Sequence, residues 1–419
     1  MGNTPTVRFK GFTEDWEQRK LGELAEIVGG GTPSTSVESY WDGDIDWYAP
    51  AEIGEQIYLK SSQRKITEEG LNKSSAKVLP VGTVLFTSRA GIGKTAILLK
   101  EGCTNQGFQS IVPNKNKLDS YFIFTRSEEL KRYGETVGAG STFVEVSGKQ
   151  MANMELMMPT TMDEQQKIGE YFSNLDHLIT LHQQKCDETK ELKKYMLQNM
   201  FPQKDEKVPK IRFDGFTGDW EQRKLNEVAE KICVGFVGTC EKFYTDESGV
   251  PMYRTGNLNG LSLNRDDLKY VTNEFHQHNQ KSQLKAGDIL IARHGDSGKA
   301  VNYESSEEAN CLNIVIIRPD FKKCNYKFLT NCINSPECQK HIKSLSAGST
   351  QAVINTSEIE KLGVVMPTNI DEQNRIARYF SNLDNLITLH QQKCNALKEF
   401  KKYMLQNMFP QKGENKCQN

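Results

Sequence analysis

The fold is decided by the stretch MPTTMDEQQKIGEYFSNLDHLITLHQQKCDETKELKKYMLQNMFPQK, Met158–Lys204, because the chain contains it twice. It returns without a gap as MPTNIDEQNRIARYFSNLDNLITLHQQKCNALKEFKKYMLQNMFPQK at Met366–Lys412. An earlier segment, VRFKGFTEDWEQRKLGELAE at Val7–Glu26, returns in the same way as IRFDGFTGDWEQRKLNEVAE at Ile211–Glu230. A repeat period of roughly 200 residues indicates two duplicated domains and excludes a solenoid of short repeats.

Each long copy predicts one long helix. Asp163 and Asp371 suit the first turns, and Pro202 and Pro410 end the two runs. The apolar residues recur at the three-four spacing of a coiled-coil seam. In the first copy these are Ile168, Tyr171/Phe172, Leu175, Leu178/Ile179, Cys186, Leu192, Tyr195/Met196 and Met200. In the second they are Ile376, Tyr379/Phe380, Leu383, Leu386/Ile387, Leu397, Phe400 and Met404.

A helix of roughly 55 Å with an exposed apolar seam needs a partner, and its own duplicate lies in the same chain. We expect the two helices to pair antiparallel, which would relate the two halves by an approximate two-fold axis. His182 and His390 stand at seam positions, where a polar residue helps to fix the register; a pH-sensitive or metal-binding pair is the alternative. The residues expected to form the pairing are Ile168, Phe172, Leu175 and Ile179 with Ile376, Phe380, Leu383 and Ile387.

Between the repeats the two halves diverge, although they keep similar lengths. Val28–Leu156 and Ile232–Val364 share only short islands, which suggests two modules that do the same kind of work on different targets. The islands are GTVLFTSRAGIGK (Gly82–Lys94) beside GDILIARHGDSGK (Gly287–Lys299), and AGST at Ala139–Thr142 beside AGST at Ala347–Thr350.

The modules predict a mixed α/β fold. Short β-type runs such as Val84–Ser88 and Ile289–Ala292 alternate with helical stretches near Tyr121–Tyr133 and Lys327–Ser344. The predicted domains are residues 1–159, a first module; 160–204, a first long helix; 205–367, a second module; 368–412, a second long helix; and 413–419, a tail.

Composition excludes several classes of protein. The formal net charge of -1 argues against a simple basic DNA-coating protein, yet Lys60–Lys100 carries eight Lys/Arg against two Glu. We expect no membrane span, no secretory signal in Met1–Phe12 and a cytoplasmic location. The ten cysteines form no C-x-x-C pair, so neither a metal site nor a disulfide framework is predicted.

No catalytic centre is predicted either. AGIGKT at Ala90–Thr95 is not a phosphate-binding loop, because Ser88 stands where that loop needs its first glycine. The matching stretch of the second module also lacks a hydroxyl residue after Lys299. No methyltransferase, nuclease or Ser/His/Asp pattern is present in the sequence. The sequence therefore predicts a binding protein with no catalytic residues and no metal site.

The duplicated RF-x-GFT-x-DWEQRKL openings, MPT-x-x-DEQ helix starts and YFSNLD-x-LITLHQQKC runs resemble the specificity subunits of Type I restriction-modification systems over essentially the whole chain. The resemblance implies two target-recognition domains at the ends of paired helices, each reading half of a split sequence in double-stranded DNA. It also implies two methyltransferase subunits docked on the helices and two restriction/translocase subunits. This chain would hold no cofactor, and S-adenosylmethionine, ATP and Mg would belong to the partners.

Two other functions stay open. A stand-alone pseudo-symmetric DNA-binding regulator would need no enzyme partners, although it would also need no duplicated helix for docking them. An enzyme with unrecognised motifs would turn over DNA or ATP as the pure chain.

The resemblance also indicates which residues would face DNA. Ordinary turn and cap chemistry is the alternative role for them. The predicted DNA-binding residues are Arg89, Lys94, Ser141 and Thr142, with their counterparts Arg293, Lys299, Ser349 and Thr350. Residues shared by both modules cannot explain different base preferences, so the choice among divergent residues stays open at this point. Those divergent candidates are Arg64, Lys65, Lys73, Arg254, Arg265 and His294.

Overall fold

The computed structural model describes residues 4–89, 91–139, 145–258, 262–293, 298–346 and 354–410. Its internal contacts define two units, the first formed by Met1–Leu181 with Lys393–Asn419 and the second by His182–Gln392. Each unit therefore contains one part of each long helix. Both units are mixed α/β, as the sequence predicts.

Among the described residues, the first module contains ten strands and five short α-helices before its long helix. The strands are β1 (Glu17–Lys20), β2 (Ala25–Gly29), β3 (Trp41–Tyr48), β4 (Tyr58–Leu59), β5 (Arg64–Ile66), β6 (Val84–Phe86), β7 (Thr95–Leu98), β8 (Cys103–Thr104), β9 (Gln109–Pro113) and β10 (Glu155–Met158). The helices are α1 (Leu21–Leu24), α2 (Glu68–Asn72), α3 (Ser120–Thr125), α4 (Ser127–Gly138), α5 (Gly148–Ala152) and the long α6 (Met162–Asn199).

The second module repeats this plan. Its strands are β11 (Glu221–Lys224), β12 (Ala229–Val234), β13 (Tyr244–Thr245), β14 (Val250–Tyr253), β15 (Lys269–Val271), β16 (Asp288–Ala292), β17 (Ala300–Tyr303), β18 (Asn310–Cys311), β19 (Ile314–Pro319) and β20 (Gly363–Met366). Its helices are α7 (Leu225–Val228), α8 (Asn273–His278), α9 (Tyr326–Ile333), α10 (Pro336–Ser346), α11 (Thr356–Glu360) and the long α12 (Ile370–Asn407).

Each module has three sheets with corresponding roles. A two-stranded ribbon, β1-β10 or β11-β20, leads directly into the long helix. The central sheet has the order β2-β9-β6-β7-β4 in the first module and β12-β19-β16-β17 in the second. A smaller outer sheet has the order β5-β3-β8 or β13-β15-β14-β18. Among the described strands, the central sheet has one strand more in the first module, and the outer sheet has one strand more in the second.

The repeated DEQ motif explains how each long helix starts. In the first unit the buried Glu164 accepts two hydrogen bonds from Arg8, at 2.7 and 2.8 Å, and a third from the indole of Trp16 at 3.3 Å. The next residue, Gln165, accepts from the amide of Asp119 and donates to the carbonyl of Lys117, immediately before α3. Two polar residues thus hold the N-terminal segment and the α3 loop against the long helix.

The second unit builds the same clamp from the second copy of the sequence. Glu372 accepts from Arg212 at 2.7 and 2.9 Å and from the Trp220 indole at 3.3 Å. Gln373 accepts from the amide of Asn325 before α9. The duplicated motifs therefore have a structural role in both units.

The two predicted helical stretches are each divided in two. Arg126 separates α3 from α4, and its guanidinium turns inward to the Met157 carbonyl and to Glu129. In the second module Pro336 starts α10 after a break at Asn334, because proline has no amide hydrogen and is favoured in the first turn of a helix. Periodicity alone did not show these breaks.

The antiparallel pairing of the long helices is confirmed inside each unit. In the first, the Lys401 ammonium lies 2.6 Å from the Asp176 carboxylate, and the Cys394 thiol contacts the Ile179 carbonyl. In the second, residues 208 positions away repeat these contacts: Lys193 lies 2.6 Å from Asp384, and the Cys186 thiol contacts the Ile387 carbonyl. His182 and His390 also meet in the second unit, with their Nδ1 atoms 3.0 Å apart.

Several apolar residues predicted in the seam were placed there wrongly. Alternating steps of four and three residues from Ile168 place Lys193 in the seam. Leu192, which was predicted there, is 44% exposed. In the second helix Lys401 likewise takes the place predicted for Phe400, which is 47% exposed. Each lysine spans the seam with its alkyl stem and ends in an ion pair, so a charged residue could be accommodated. Of the paired alternatives, Leu178, Tyr195 and Leu386 are exposed, whereas Ile179, Met196 and Ile387 face inward.

Two further findings concern the described residues as a set. Nine cysteines are free thiols, and all nine are buried. No described helix combines the length and the apolar character that crossing a bilayer requires.

Candidate nucleic-acid interface

In the first unit the predicted residues Arg89 and Lys94 lie in the connection between β6 and β7, of which residues 87–89 and 91–94 are described. The Thr87 hydroxyl donates to the Gly91 carbonyl at 2.7 Å and accepts from the Lys94 amide at 2.9 Å. Gly91 and Gly93 have φ values of 106° and 96°, which side chains rarely tolerate. A Cβ on Gly93 would lie 2.3 Å from a Lys131 side-chain carbon, so the turn also packs against α4. Arg89 and Lys94 are both exposed on this rigid turn.

In the second unit the corresponding connection joins β16 to β17, and of it residues 293 and 298–299 are described. Gly298 has a φ of 112°, and its carbonyl accepts a hydrogen bond from Gln339 of α10. Lys299 is exposed, whereas Arg293 is half-buried, with no hydrogen-bond partner for its Nε atom among the described residues. The two turns therefore present a lysine in common but hold their arginines differently.

The remaining predicted contact residues, Ser141, Thr142, Ser349 and Thr350, lie outside the described residues. The chain that follows each of these stretches runs beside the arginine turn. The Val146 amide donates to the Ser88 carbonyl at 3.0 Å, and the Ile354 amide donates to the Arg293 carbonyl at 3.2 Å.

A basic surface on the first unit was indicated by the sequence. Of the eight basic residues between Lys60 and Lys100, seven are exposed and Lys65 is half-buried. Two of them are held by Asp46, whose carboxylate is buried in β3: Lys100 lies at 3.3 Å and Lys65 at 3.9 Å. Although burial opposes ionisation, hydrogen bonds from Ser62 and the nearby ammonium of Lys100 keep the pKa of Asp46 below its usual value. The charged Asp46 therefore anchors part of the basic surface.

An aromatic platform lies on the same outer sheet beneath Arg64, and the sequence alone did not show that these residues would meet. Trp41 and Trp47 of β3 pack edge to face with centroids 5.2 Å apart, and both are buried. The Arg64 guanidinium on β5 lies 3.7 Å above the centre of Trp41 and 5.9 Å from Trp47. Trp47 pairs with Arg64, and the bulge in β3 pairs both Trp41 and Ile45 with Ile66, which brings Trp41 within two residues of Arg64 along β5.

The basic residues of the second outer sheet have acidic partners. Arg254 pairs with Asp267 at 2.8 Å, and Lys269 pairs with the same carboxylate at 2.6 Å. Arg265 pairs with Glu307 at 2.9 Å. The two units thus share a turn bearing a lysine but carry different chemistry on their outer sheets.

A second surface consists of apolar residues that the helix seam leaves exposed. With Phe172 at heptad position a, the exposed residues occupy position g, which flanks the seam, and position c, which lies next to g on its outer side. We call these the g faces. In the first unit the g face is Leu178, Phe400 and Tyr403; in the second it is Leu386, Leu389, Leu192 and Tyr195. Because the helices run antiparallel, both g rows of a unit lie on one side of the pair, so each unit presents an apolar strip built from the same repeated sequence.

Comparison with known proteins identifies relatives across both units. The family profile described as the Type I restriction modification DNA specificity domain matches twice, at residues 13–191 and 217–399. The Type I restriction enzyme MjaIX specificity subunit of Methanocaldococcus jannaschii is 27% identical over 385 residues, covering 84% of this chain and 83% of that protein. The EcoR124I/EcoR124II specificity subunit of Escherichia coli is 29% identical over 180 residues, 41% of this chain and 43% of that protein.

Solved structures show a similar fold. The S subunit of the Type-I restriction-modification system from M. genitalium aligns with a TM-score of 0.66 at 14% identity, covering 98% of this chain and 100% of that one. A chain from a study of complex assembly and conformational transition in the type I R-M system aligns with a TM-score of 0.51 at 17% identity, covering 95% and 98%. At these identities the likeness concerns the fold.

Proposed function

The chain belongs to the Type I restriction-modification DNA specificity family, and from that premise we propose that its two modules read the two halves of a bipartite target in double-stranded DNA for a methyltransferase and nuclease complex. One observation carries the proposal: the scaffold is built twice from matching residues, while the outer sheets differ in their exposed chemistry. A duplicated scaffold with unlike surfaces suits two readers of different sequences.

In this proposal the shared residues position DNA and the divergent ones specify it. Arg89 and Lys94 of the first unit, with Arg293 and Lys299 of the second, would contact phosphates, which fix the register of a protein on the duplex without reading bases. Ser141, Thr142, Ser349 and Thr350 would complete these contacts. The basic surface around Lys60–Lys100 would add attraction that weakens as salt rises.

The g faces support docking of partner proteins. Exposed leucine and aromatic clusters are typical of protein interfaces. Because the two g faces come from one repeated sequence, they would bind two copies of the same partner, which we propose to be the methyltransferase subunit. Two restriction/translocase subunits would then complete the assembly.

Chemistry would be carried out by those partners. We propose that this chain has no active site, and that S-adenosylmethionine, ATP and Mg are bound by the methyltransferase and restriction subunits. The adenine to be methylated must leave the base stack, so its pocket would lie on the methyltransferase. Such a complex would act where the genome lies, in the cytoplasm.

Two measurements on the native cell test the proposal. The tagged chain should co-purify with a methyltransferase subunit, and genome-wide mapping should find a split adenine-methylation motif that disappears when the gene is deleted. A stand-alone regulator would bind DNA without either result. Recovery of the chain alone, with methylation unchanged by the deletion, would overturn the proposal.

A further inference from the structure

The outer sheet of the first unit carries one arginine that is arranged to read a base. We infer that Arg64 recognises a guanine in the half of the DNA target bound by the first unit. This inference rests on the proposed function and adds to it a specificity-determining residue. The sequence left six divergent residues open for this role, and the structure separates them.

The first observation is a rigid platform under Arg64. The Trp47 indole donates to the Gly31 carbonyl at 2.8 Å, and the Trp41 indole donates to the Ser34 carbonyl at 3.2 Å. Gly31 is itself tightly packed, since a Cβ there would lie 2.2 Å from the Ala76 amide nitrogen. Both rings are therefore held by their N–H groups as well as by packing. A guanidinium stacked on Trp41 is held in place by the fixed ring.

The second observation is that the guanidinium edge stays available. Arg64 is exposed, and no ion pair or side-chain hydrogen bond to it is found within the described ranges. Stacking uses the flat face of a guanidinium, whereas its N–H donors point outward in the plane. An arginine held in this way lowers the entropy lost when the edge binds a ligand.

The other divergent candidates are less suited to this role. Arg254 and Arg265 have their guanidinium groups in ion pairs with Asp267 and Glu307. Lys65 faces the buried Asp46. Lys73 is exposed, but an ammonium is a point charge without the two parallel donors of arginine. His294 lies outside the described residues.

The chemistry of the exposed edge selects the base. In the major groove guanine presents two adjacent acceptors, N7 and O6, which match the parallel N–H donors of arginine. Adenine presents a donor beside N7, so the same arginine would meet an N–H group there. Loss of a good bidentate contact of this kind reduces discrimination by about tenfold or more.

The test uses the complete methyltransferase complex with duplex oligonucleotides that carry its methylation motif. Methylation rates are measured with each guanine of the motif replaced in turn by 7-deazaguanine, which lacks the N7 acceptor. For the wild-type complex we expect a loss of about tenfold or more at one guanine of the first unit's half-site. The Arg64→Lys variant keeps the alkyl stem and the charge but lacks the planar pair of N–H donors, and it should lose most of the sensitivity to the same replacement.

Each result decides the inference. A wild-type response at one guanine that is largely lost in Arg64→Lys supports it. Equal sensitivity in both proteins, or a variant weakened evenly on every DNA, would overturn it while leaving the proposed function intact. Absence of any split motif for the wild-type complex would overturn both. If the Arg64→Lys protein does not fold, a wild-type complex indifferent to 7-deazaguanine throughout that half-site still overturns the inference.

Lys73→Ala serves as a matched control on the same surface. We expect Lys73 to contact phosphate, which carries no sequence information, so its removal should weaken binding on every duplex by a similar factor and leave the pattern of guanine sensitivity unchanged.

Discussion

Glu164 and Glu372 are buried carboxylates, each of which holds an arginine and an indole at the start of a long helix. Removing one partner of a buried ion pair leaves the other uncompensated, at a cost of about 3 kcal/mol. We expect Glu164→Gln to lower the unfolding free energy of the first unit by this amount. Urea unfolding followed by tryptophan fluorescence measures it, with Trp16 reporting beside the clamp.

The chain provides a control for that substitution. Glu191 forms an exposed ion pair with Lys194 at 3.6 Å, and such pairs contribute little because water screens them. Glu191→Gln should leave the unfolding midpoint unchanged. A Glu164→Gln protein as stable as Glu191→Gln would show that the clamp does not hold the helix start.

Asp46 gives a pH-dependent prediction at the same scale. Against the effect of burial, the Ser62 and Lys100 contacts lower its pKa in the folded protein. A lowered pKa means that the carboxylate stabilises the fold above its unfolded pKa of about 3.9, and that this stability is lost as pH falls through the folded pKa. The difference in urea midpoint between wild type and Asp46→Asn should therefore be largest near neutral pH and shrink in acid. A difference independent of pH would contradict this role.

The long helices show how the position within the heptad decides what an apolar residue does. Leu175 is buried in the seam at 7% exposure, whereas Leu178 lies three residues later on the g face. We expect Leu175→Asp to disrupt the helix pair and lower the melting temperature, because it buries an unpaired charge. Leu178→Asp, the matched control, should keep the circular dichroism spectrum and the melting temperature while weakening recovery of the methyltransferase partner.

These two variants separate the seam from the docking surface. If Leu178→Asp unfolded the protein as Leu175→Asp does, the g face would belong to the core. If Leu178→Asp retained full partner binding, the proposed docking surface of the first unit would be wrong.

At the level of elements, the sequence predicted what depends on repetition and missed what depends on tertiary contacts. Both long helices, their antiparallel pairing and the mixed α/β modules follow from duplicated motifs and periodicity. The exchange of Leu192 for Lys193 in the seam was missed because apolar character was followed in preference to an unbroken heptad count. A lysine is acceptable there because Asp384 lies opposite. Asp384 stands 191 residues later in the sequence, on the second long helix.

In the candidate nucleic-acid interface, too, the sequence predicted some features and missed those that depend on tertiary contacts. The exposed Arg89 and Lys94 turn follows from a glycine pattern that both modules share. The Arg64 platform depends on the β-bulge between Trp41 and Ile45, which pairs both of these residues with Ile66 and so brings Trp41 close to the Trp47–Arg64 pair. Such a bulge has no clear signature in a single sequence, so Arg64 could be named as a candidate but not preferred to the others.

For the molecule as a whole, the separate cores of the units determine how specificity can be exchanged. One core is built on Trp16, Phe122 and Phe172 of the first unit. The other is built on Trp220, Phe328 and Phe380 of the second, and the two clusters share no residue. A module can therefore be replaced without removing any side chain from the core of the other unit.

Exchange of Val28–Leu156 for the equivalent module of another family member should therefore change one half of the methylated motif and leave the other half as it was. The incoming module brings its own outer sheet, while Glu372, Gln373 and the core of the second unit are unchanged. Methylation mapping of cells that carry the chimaera measures the outcome, and exchange of Ile232–Val364 is the reciprocal control, expected to alter only the opposite half. If either exchange altered both halves, the two outer sheets would not read DNA independently.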